Sequence, residues 1–116
     1  MNVKLTKKPI PTVAISGEVD HYNAHLVAPA IREACQIDSS IILDLSELTY
    51  LDSAGVQLVF LASRLTDEKD GHVVMVVKND HVRRILEITG TESIPNLSIV
   101  TELEEAIKKI GKGKIG

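Results

Sequence analysis

The run Asp52-Ser53-Ala54-Gly55 places a carboxylate, a hydroxyl and two small residues at the predicted start of a helix. A serine oxygen at such a position can cap the helix by accepting a backbone N–H, and Asp52 would help through the helix dipole. A hydroxyl at an exposed helix N-terminus can also be phosphorylated, and free backbone N–H groups there can hold the resulting dianion. The residues alone favour the cap, because caps are common, and the two roles are compatible.

Two histidines and a carboxylate raise the question of a metal site. His21 and His25 are four residues apart, and Asp20 precedes them directly. Histidines at that spacing share a helical face only if both lie on the helix. The first helix is predicted to begin near Asn23, so solvated loop histidines are the favoured interpretation. We predict no metal-binding residue.

Asp44, at the end of a predicted buried strand, superficially resembles the acceptor aspartate of a phospho-acceptor receiver domain. That chemistry needs Mg²⁺, which carboxylates near the end of the first strand would hold. The corresponding segment of this chain carries Lys7 and Lys8. A strand-end residue or a hydrogen-bonding loop brace is therefore the favoured interpretation of Asp44.

Enzyme chemistry at Ser53 has little support in the sequence. A nucleophilic serine needs a base, and the histidines lie outside any nucleophile-elbow context, in which Leu51 would also replace the first glycine. No glycine-rich phosphate loop is present. We predict that the chain is not an enzyme and has neither catalytic nor cofactor-binding residues.

Composition narrows the class of protein and its partners. The chain has 116 residues, 44% of them hydrophobic and 3% aromatic, with a net charge of -3. This size predicts a single domain, and the charge and scarce aromatic residues argue against nucleic acid as a partner. The single cysteine, Cys35, excludes an intramolecular disulfide, and no apolar run is long enough to span a membrane. We expect a cytoplasmic protein without membrane insertion.

Hydrophobic periodicity predicts an alternating order of strands and helices around these residues. The chain opens with a hairpin whose second strand ends at Gly17, and Pro29 kinks the first helix or marks its effective start. The later predicted segments are a helix over 24–36, a central strand over 40–45, a linker over 46–51, a helix from Ser53 to about 65, a strand over 73–77, a helix capped by Asp80, a strand over 97–100, and a helix ended by Gly111.

That order implies right-handed crossovers and an α/β fold with a mostly parallel sheet. We expect about five strands, an antiparallel N-terminal edge strand and about four helices. The domain should span 1–111, with 112–116 as a flexible C-terminal tail. The helix after Ser53 is apolar on more than one face, and the flanking strands favour burial over a partner surface.

Two motifs in the same chain order carry a family resemblance. The first is Gly17-Glu18-Val19-Asp20 with Asn23-Ala24 after it, and the second is Asp52-Ser53-Ala54-Gly55 after the strand ending Leu43-Asp44-Leu45. Asp80 to Gly90 is similar to the family's third helix and its usual ending. On these motifs the chain resembles the anti-sigma factor antagonists, whose fold is the STAS domain. The resemblance covers essentially the whole chain.

The resemblance implies a partner switch that is monomeric alone. Ser53 would be phosphorylated by an anti-sigma factor that is also a serine kinase, and a serine phosphatase would reset it. The unphosphorylated chain would bind the anti-sigma factor and free a sigma factor. The implied partner-binding residues are Asp20, Asn23, Asp52, Ser53, Ala54, Gly55, Val56 and Gln57.

Gln57 departs from the family pattern, since many members have a second glycine there. It keeps a second hypothesis open, in which the chain is a non-phosphorylated STAS interaction module of a chemotaxis, sensor or lipid-transport complex. Weak nucleotide binding is suggested for some STAS domains, and no residue pattern here supports it. The alternative functions of another class are those of a small phospho-acceptor receiver-like domain or of a weak nucleotide-binding protein.

Overall fold

Strands and helices alternate along nearly the whole chain in the computed structural model, which describes the backbone of residues 1–115 and the side chains of residues 1–111. The described elements are β1 (Asn2–Thr6), β2 (Thr12–Val19), a 3-10 turn (Ala24–Leu26), α1 (Ala28–Ile37), β3 (Ile41–Asp44), β4 (Leu48–Leu51), α2 (Ser53–Asp67), β5 (Val73–Val76), α3 (Asp80–Ile88), a second 3-10 turn (Thr91–Ser93), β6 (Leu97–Val100) and α4 (Leu103–Ile115).

The strands form one mixed sheet in the order β1-β2-β3-β5-β6, with β4 paired to β2 off this path. β1 and β2 are antiparallel, and the other pairs are parallel. The predicted fold class is therefore confirmed, with six strands where about five were expected. β3 lies in the middle of the sheet, as predicted.

β2 changes partner along its length. Residues 12–14 pair with β3, whereas residues 17–19 pair with β4, and the register shifts between Gly17 and Glu18. Gly17 has a φ of 85°, in the left-handed region that glycine adopts without steric cost. Its N–H donates to the carbonyl of Glu47 at 3.1 Å, which ties the strand to the turn before β4.

The prediction of a linker over 46–51 is wrong, because this segment contains β4. Leu48 and Leu51 are buried while Thr49 and Tyr50 are exposed. Such a short run has no strict alternation of apolar and polar residues, which is the periodic signal of a strand. Pairing with β2 therefore decides the conformation of this segment.

Helices cover both faces of the sheet. On one face, residues of α1, α2 and α3 join a core that includes Ile41 and Leu43 of β3. On the other face, α4 contributes Ala106 and Ile110 to a second cluster with Ile42. Successive β3 residues thus point to opposite cores, as expected of a strand covered on both sides.

The chain differs from prediction at several helix ends. Residues 24–26 form a separate 3-10 turn, and α1 begins at Ala28 with Pro29 in its first turn. The cap of α3 is Asn79, not Asp80, and accepts the N–H of Val82 at 3.0 Å. α4 continues beyond its predicted end at Gly111, so that prediction is wrong.

The predicted tail thus has helical backbone over 112–115, and Gly116 lies outside the described residues. A single domain over 1–111 stays a prediction. In α2, Leu58, Val59 and Ala62 are buried, and Phe60 and Leu61 pack half-buried against the same core, so burial is the correct interpretation of this helix. No helix within residues 1–115 has both the length and the apolar character needed to cross a membrane.

Candidate functional site

Asp52 is the residue that caps α2. Its Oδ1 accepts the N–H of Ala54 at 2.8 Å and that of Gly55 at 3.3 Å. Its own N–H donates to the carbonyl of Val19 at 3.2 Å, so Asp52 is held to the sheet while the helix begins at the next residue. The prediction that Ser53 caps the helix is wrong, and aspartate is as good a cap as serine.

This cap uses the donors that were expected to bind phosphate. The first N–H groups of a helix point outward and attract anions. Here the N–H groups of Ala54 and Gly55 already bind the Asp52 carboxylate. The prediction that these donors are free to bind a phosphate is therefore wrong. A phosphate on Ser53 would have to displace Asp52 or remain outside the helix end.

The residues after Asp52 divide between surface and core. Ser53 and Gln57 are exposed and lie one turn apart on α2, and Ala54 is half-buried. Val56 is buried with 3% of its surface exposed, and Gly55 is buried too. The side chains exposed or half-exposed at this turn are therefore those of Ser53, Ala54 and Gln57, whereas Val56 packs into the core and its part in partner binding stays a prediction.

Gly55 is needed for close approach of α2 to the sheet. A Cβ at this position would lie 2.7 Å from Cβ of Leu51 and 3.4 Å from Cγ1 of Val19. Any larger residue would push the helix away from β4 and β2. The space beside Gly55 is therefore filled by this chain's own core, and a part for Gly55 in partner binding stays a prediction.

Asp20 and Asn23 shape the turn after β2. Oδ1 of Asp20 accepts the N–H groups of Tyr22 at 2.9 Å and Asn23 at 3.2 Å. Oδ1 of Asn23 accepts the N–H of Asp20 at 2.9 Å, and its Nδ2 donates to the carbonyl of Glu18 at 3.0 Å. Each side chain thus accepts a hydrogen bond from the backbone N–H of the other residue, and these bonds hold the loop in one conformation.

His21 joins the two motifs. Its backbone N–H donates to Oδ2 of Asp52 at 3.1 Å, and its Nδ1 lies 3.5 Å from the same oxygen. The structure therefore places the turn at Asp20 beside the start of α2, although more than thirty residues separate them in sequence. No sequence pattern predicts this contact, and the position of His21 directly after Asp20 is the one signal that points to it.

Asp52 carries a fixed negative charge next to Ser53. Partial burial of the carboxyl raises its pKa, but hydrogen bonds from the N–H groups of Ala54 and Gly55, and then from the side chain and N–H of His21, together hold the pKa below its ordinary value. Asp52 is thus ionised at neutral pH. A phosphate added to Ser53 would bring a second anion to the same helix end.

Asp44 acts as the predicted loop brace. Its Oδ1 accepts the N–H of Ser46 at 3.1 Å and the Ser46 hydroxyl at 2.6 Å. These bonds turn the chain from β3 towards β4.

Comparison with known proteins supports one family. The model of the STAS domain matches residues 3–107. The anti-sigma F factor antagonist of Paenibacillus polymyxa is 30% identical over 79% of this chain and 85% of that protein. The anti-sigma-B factor antagonist of Listeria monocytogenes is 31% identical over 81% of this chain and 87% of that protein.

A solved structure shows the same fold. The Bacillus cell fate determinant SpoIIAA in its phosphorylated form matches with a TM-score of 0.72 and 22% identity, over 94% of this chain and 99% of that one. With the family model spanning most of the sequence and both motifs meeting at one end of the sheet, the chain belongs to the STAS domain family, with relatives named anti-sigma factor antagonists.

Proposed function

We propose that this protein is an anti-sigma factor antagonist controlled by phosphorylation of Ser53. The unphosphorylated chain binds an anti-sigma factor that is also a serine kinase, and a sigma factor is released as a result. Phosphorylation breaks the complex, and a serine phosphatase restores the active form. The names of the relatives support this role, as does the matching pair of motifs around Ser53.

One observation carries the proposal: Ser53 is an exposed hydroxyl at a helix start where the N–H groups of Ala54 and Gly55 already bind the Asp52 carboxylate. A phosphoserine carries a charge of about -1.5 to -2 at neutral pH. Because Asp52 holds the N–H groups of Ala54 and Gly55, the chain does not neutralise this charge itself. A partner docking on Ser53 would have to desolvate two neighbouring anions, which is costly.

The other predicted site residues have distinct parts in this proposal. Ser53, Ala54 and Gln57 face the partner, while Asp20 and Asn23 hold the adjoining loop in the shape that the partner meets. Gln57 lies one turn after Ser53 on the same helix face and selects among partners by its bulk. Catalysis is supplied by the kinase, which uses ATP, and we place the exchange in the cytoplasm.

Incubation with ATP and each anti-sigma factor kinase of the source organism tests the modification. Mass spectrometry should find one phosphoserine, at Ser53, that is lost in Ser53→Ala. The variant Ser93→Ala removes another exposed serine and should be modified as the wild type is. Phosphate on another residue, or none with every kinase, would favour the non-phosphorylated interaction module.

Charge at position 53 can be separated from size with a matched pair of variants. We expect Ser53→Asp to weaken kinase binding, because it adds an anion beside Asp52, and the nearly isosteric Ser53→Asn to bind far better. Both should give the far-UV circular dichroism spectrum of the wild type. Equal binding by the two variants would contradict an electrostatic switch. Calorimetric titration with the kinase provides the measurement.

A further inference from the structure

A cleft of about 410 Å³ opens at the end of the molecule away from Ser53. Because β2 is parallel to both β3 and β4, the start of β3 lies opposite the end of β4, which leads into Asp52 and Ser53. The cleft is lined by residues at the starts of β3 and β5, in β6 and near the end of α4. A ligand bound there leaves the surface around Ser53 free for a partner.

Neighbouring strands bring the polar side chains of this cleft to one face of the sheet. Oγ of Ser40 accepts the N–H of His72 at 3.0 Å, and Ser98 is the register partner of Val74. Val74 belongs to the small core under α4 together with Ile110. Side chains alternate between the faces along a strand, so His72 and Val74 lie on the same face. The cleft therefore combines an apolar floor with hydroxyl and imidazole groups.

Two opposite charges line the same cleft without pairing. Lys109 reaches it from α4, and Asp70 reaches it from the turn between α2 and β5. Neither side chain takes part in an ion pair, with the other or with any charged group of residues 1–111. Lys112 and Lys114 follow on α4, and their side chains lie outside those that the structure describes. The cleft thus offers a ligand one ammonium and one carboxylate.

The charged residues next to this pair bind other groups. Lys69 donates to the carbonyl of Cys35 in α1. Glu105, one turn before Lys109, accepts a hydroxyl from the turn after β6 at 3.0 Å. Asp38 accepts a backbone N–H in the turn before β3 at 2.7 Å. These neighbours therefore do not neutralise the two charges of the cleft.

This arrangement matches a small zwitterion better than an ion of one sign. Lys109 would attract an anion such as phosphate while Asp70 repels it, and a cation would meet the reverse. An α-amino acid presents a carboxylate to Lys109 and an ammonium to Asp70, and both contacts are charge-assisted hydrogen bonds. Sites for small molecules commonly have volumes of about 300–1,000 Å³, and this cleft lies in the lower part of that range.

We propose that this cleft binds a free α-amino acid, with its carboxylate on Lys109 and its ammonium on Asp70. The hydroxyl of Ser98 and the imidazole of His72 supply further hydrogen bonds, and the apolar floor receives the ligand's side chain. This inference is independent of the proposed function, because the cleft and Ser53 lie at opposite ends of the sheet. The amino acid and a partner do not compete for the same residues.

NMR titration of the ¹⁵N-labelled full chain with each of the twenty standard amino acids tests the inference. At least one amino acid should shift the amide signals of His72 and Ser98, with a Kd below about 1 mM. The N-acetyl derivative of that amino acid lacks the ammonium, and its amide derivative lacks the carboxylate. Each derivative should bind about tenfold more weakly or worse, as expected when a hydrogen bond between charged groups is lost.

Two substitutions assign each charge of the ligand to its residue. Asp70→Asn should raise the Kd of the free amino acid about tenfold and leave that of the N-acetyl derivative unchanged. Asparagine suits this position because it tolerates the φ of 58° found there. Lys109→Gln should raise the Kd of the amino acid to a similar extent and leave that of the amide derivative unchanged.

Matched controls change the same charges outside the cleft. Asp67→Asn and Lys108→Gln alter exposed residues that do not line it, and each should leave the Kd within about twofold of wild type. Urea unfolding identifies any variant that has lost its fold.

Three results would overturn the inference. The first is that none of the twenty amino acids shifts the signals of His72 and Ser98. The second is binding that Asp70→Asn and Lys109→Gln both leave unchanged. The third is inorganic phosphate that binds more tightly than every amino acid, since the cleft would then be an anion site. None of these results bears on Ser53, whose phosphorylation is measured separately with the kinase.

Discussion

At the scale of single residues, the site depends on Asp52 more than on the serine that follows it. One carboxylate oxygen caps α2, and the other binds the loop at His21. Asp52 therefore holds together the two motifs that the sequence presents separately. It also occupies the helix end that a phosphate would otherwise use, so a phosphate on Ser53 would have to displace Asp52 or remain outside the helix end.

Acid should remove the contribution of Asp52 to stability. Because the folded-state pKa lies below that of the unfolded chain, Asp52 stabilises the fold above the unfolded carboxyl pKa of about 3.9, and this effect fades as pH falls through the lower folded pKa. The free energy of unfolding of wild type minus that of Asp52→Asn should shrink as pH drops below about 4. Urea unfolding between pH 3 and pH 7 measures it, and a constant difference would contradict the hydrogen-bonded carboxylate.

At the scale of secondary-structure elements, the site exists because β2 pairs with two strands in succession. Gly17 allows the shift of register, and the second half of β2 then receives β4. β4 leads directly into Asp52, and Gly55 lets α2 sit tightly on Leu51. Gly17 thus allows β2 to change its partner strand, and Gly55 allows α2 to pack closely on the sheet.

A pair of glycine substitutions tests this account of α2. Gly55→Ala should lower the free energy of unfolding by about 1–3 kcal/mol, because the new methyl group overlaps Leu51. Gly111→Ala, in α4, meets nothing within 4 Å and should be neutral or raise stability by up to about 1 kcal/mol through helix propensity. Chemical denaturation compares the two. A harmless Gly55→Ala would show that α2 can move off the sheet freely.

At the scale of the whole molecule, the sheet separates two cores with different tasks. The larger core, under α1, α2 and α3, holds the elements that carry the candidate site. The smaller core, under α4, covers Ile42, Val74 and Val76 on the opposite face. Burial of both faces explains why the central strands are apolar throughout, a pattern typical of parallel sheets.

Truncation tests where the domain ends. A chain that stops after Gly111 keeps Ala106 and Ile110, the α4 residues that pack on the second core. Its free energy of unfolding should stay within about 0.5 kcal/mol of the full chain, as for changes away from packed features. A chain that stops after Thr101 loses the cover of the second core and should not fold cooperatively. Thermal unfolding distinguishes the two, and a large loss in the longer truncation would move the domain boundary beyond 111.

Much of this molecule is encoded locally and could be predicted from the sequence. Hydrophobic periodicity determines the order of strands and helices, the apolar run 41–43 determines a central strand, and the two motifs determine the family and the place of Ser53. These features depend on neighbouring residues and on chain order, which the sequence shows directly.

Tertiary structure decided the features that need partners distant in sequence. Segment 48–51 becomes a strand because β2 is there to pair with it, and Asp52 becomes the cap because its N–H is bound to Val19. The contact of His21 with Asp52 arises because the fold brings together two turns that are distant in sequence. Asp52 and Ser53 have similar propensities to cap a helix, so local sequence does not distinguish them. Hydrogen bonds to residues distant in sequence make Asp52 the cap and leave Ser53 exposed.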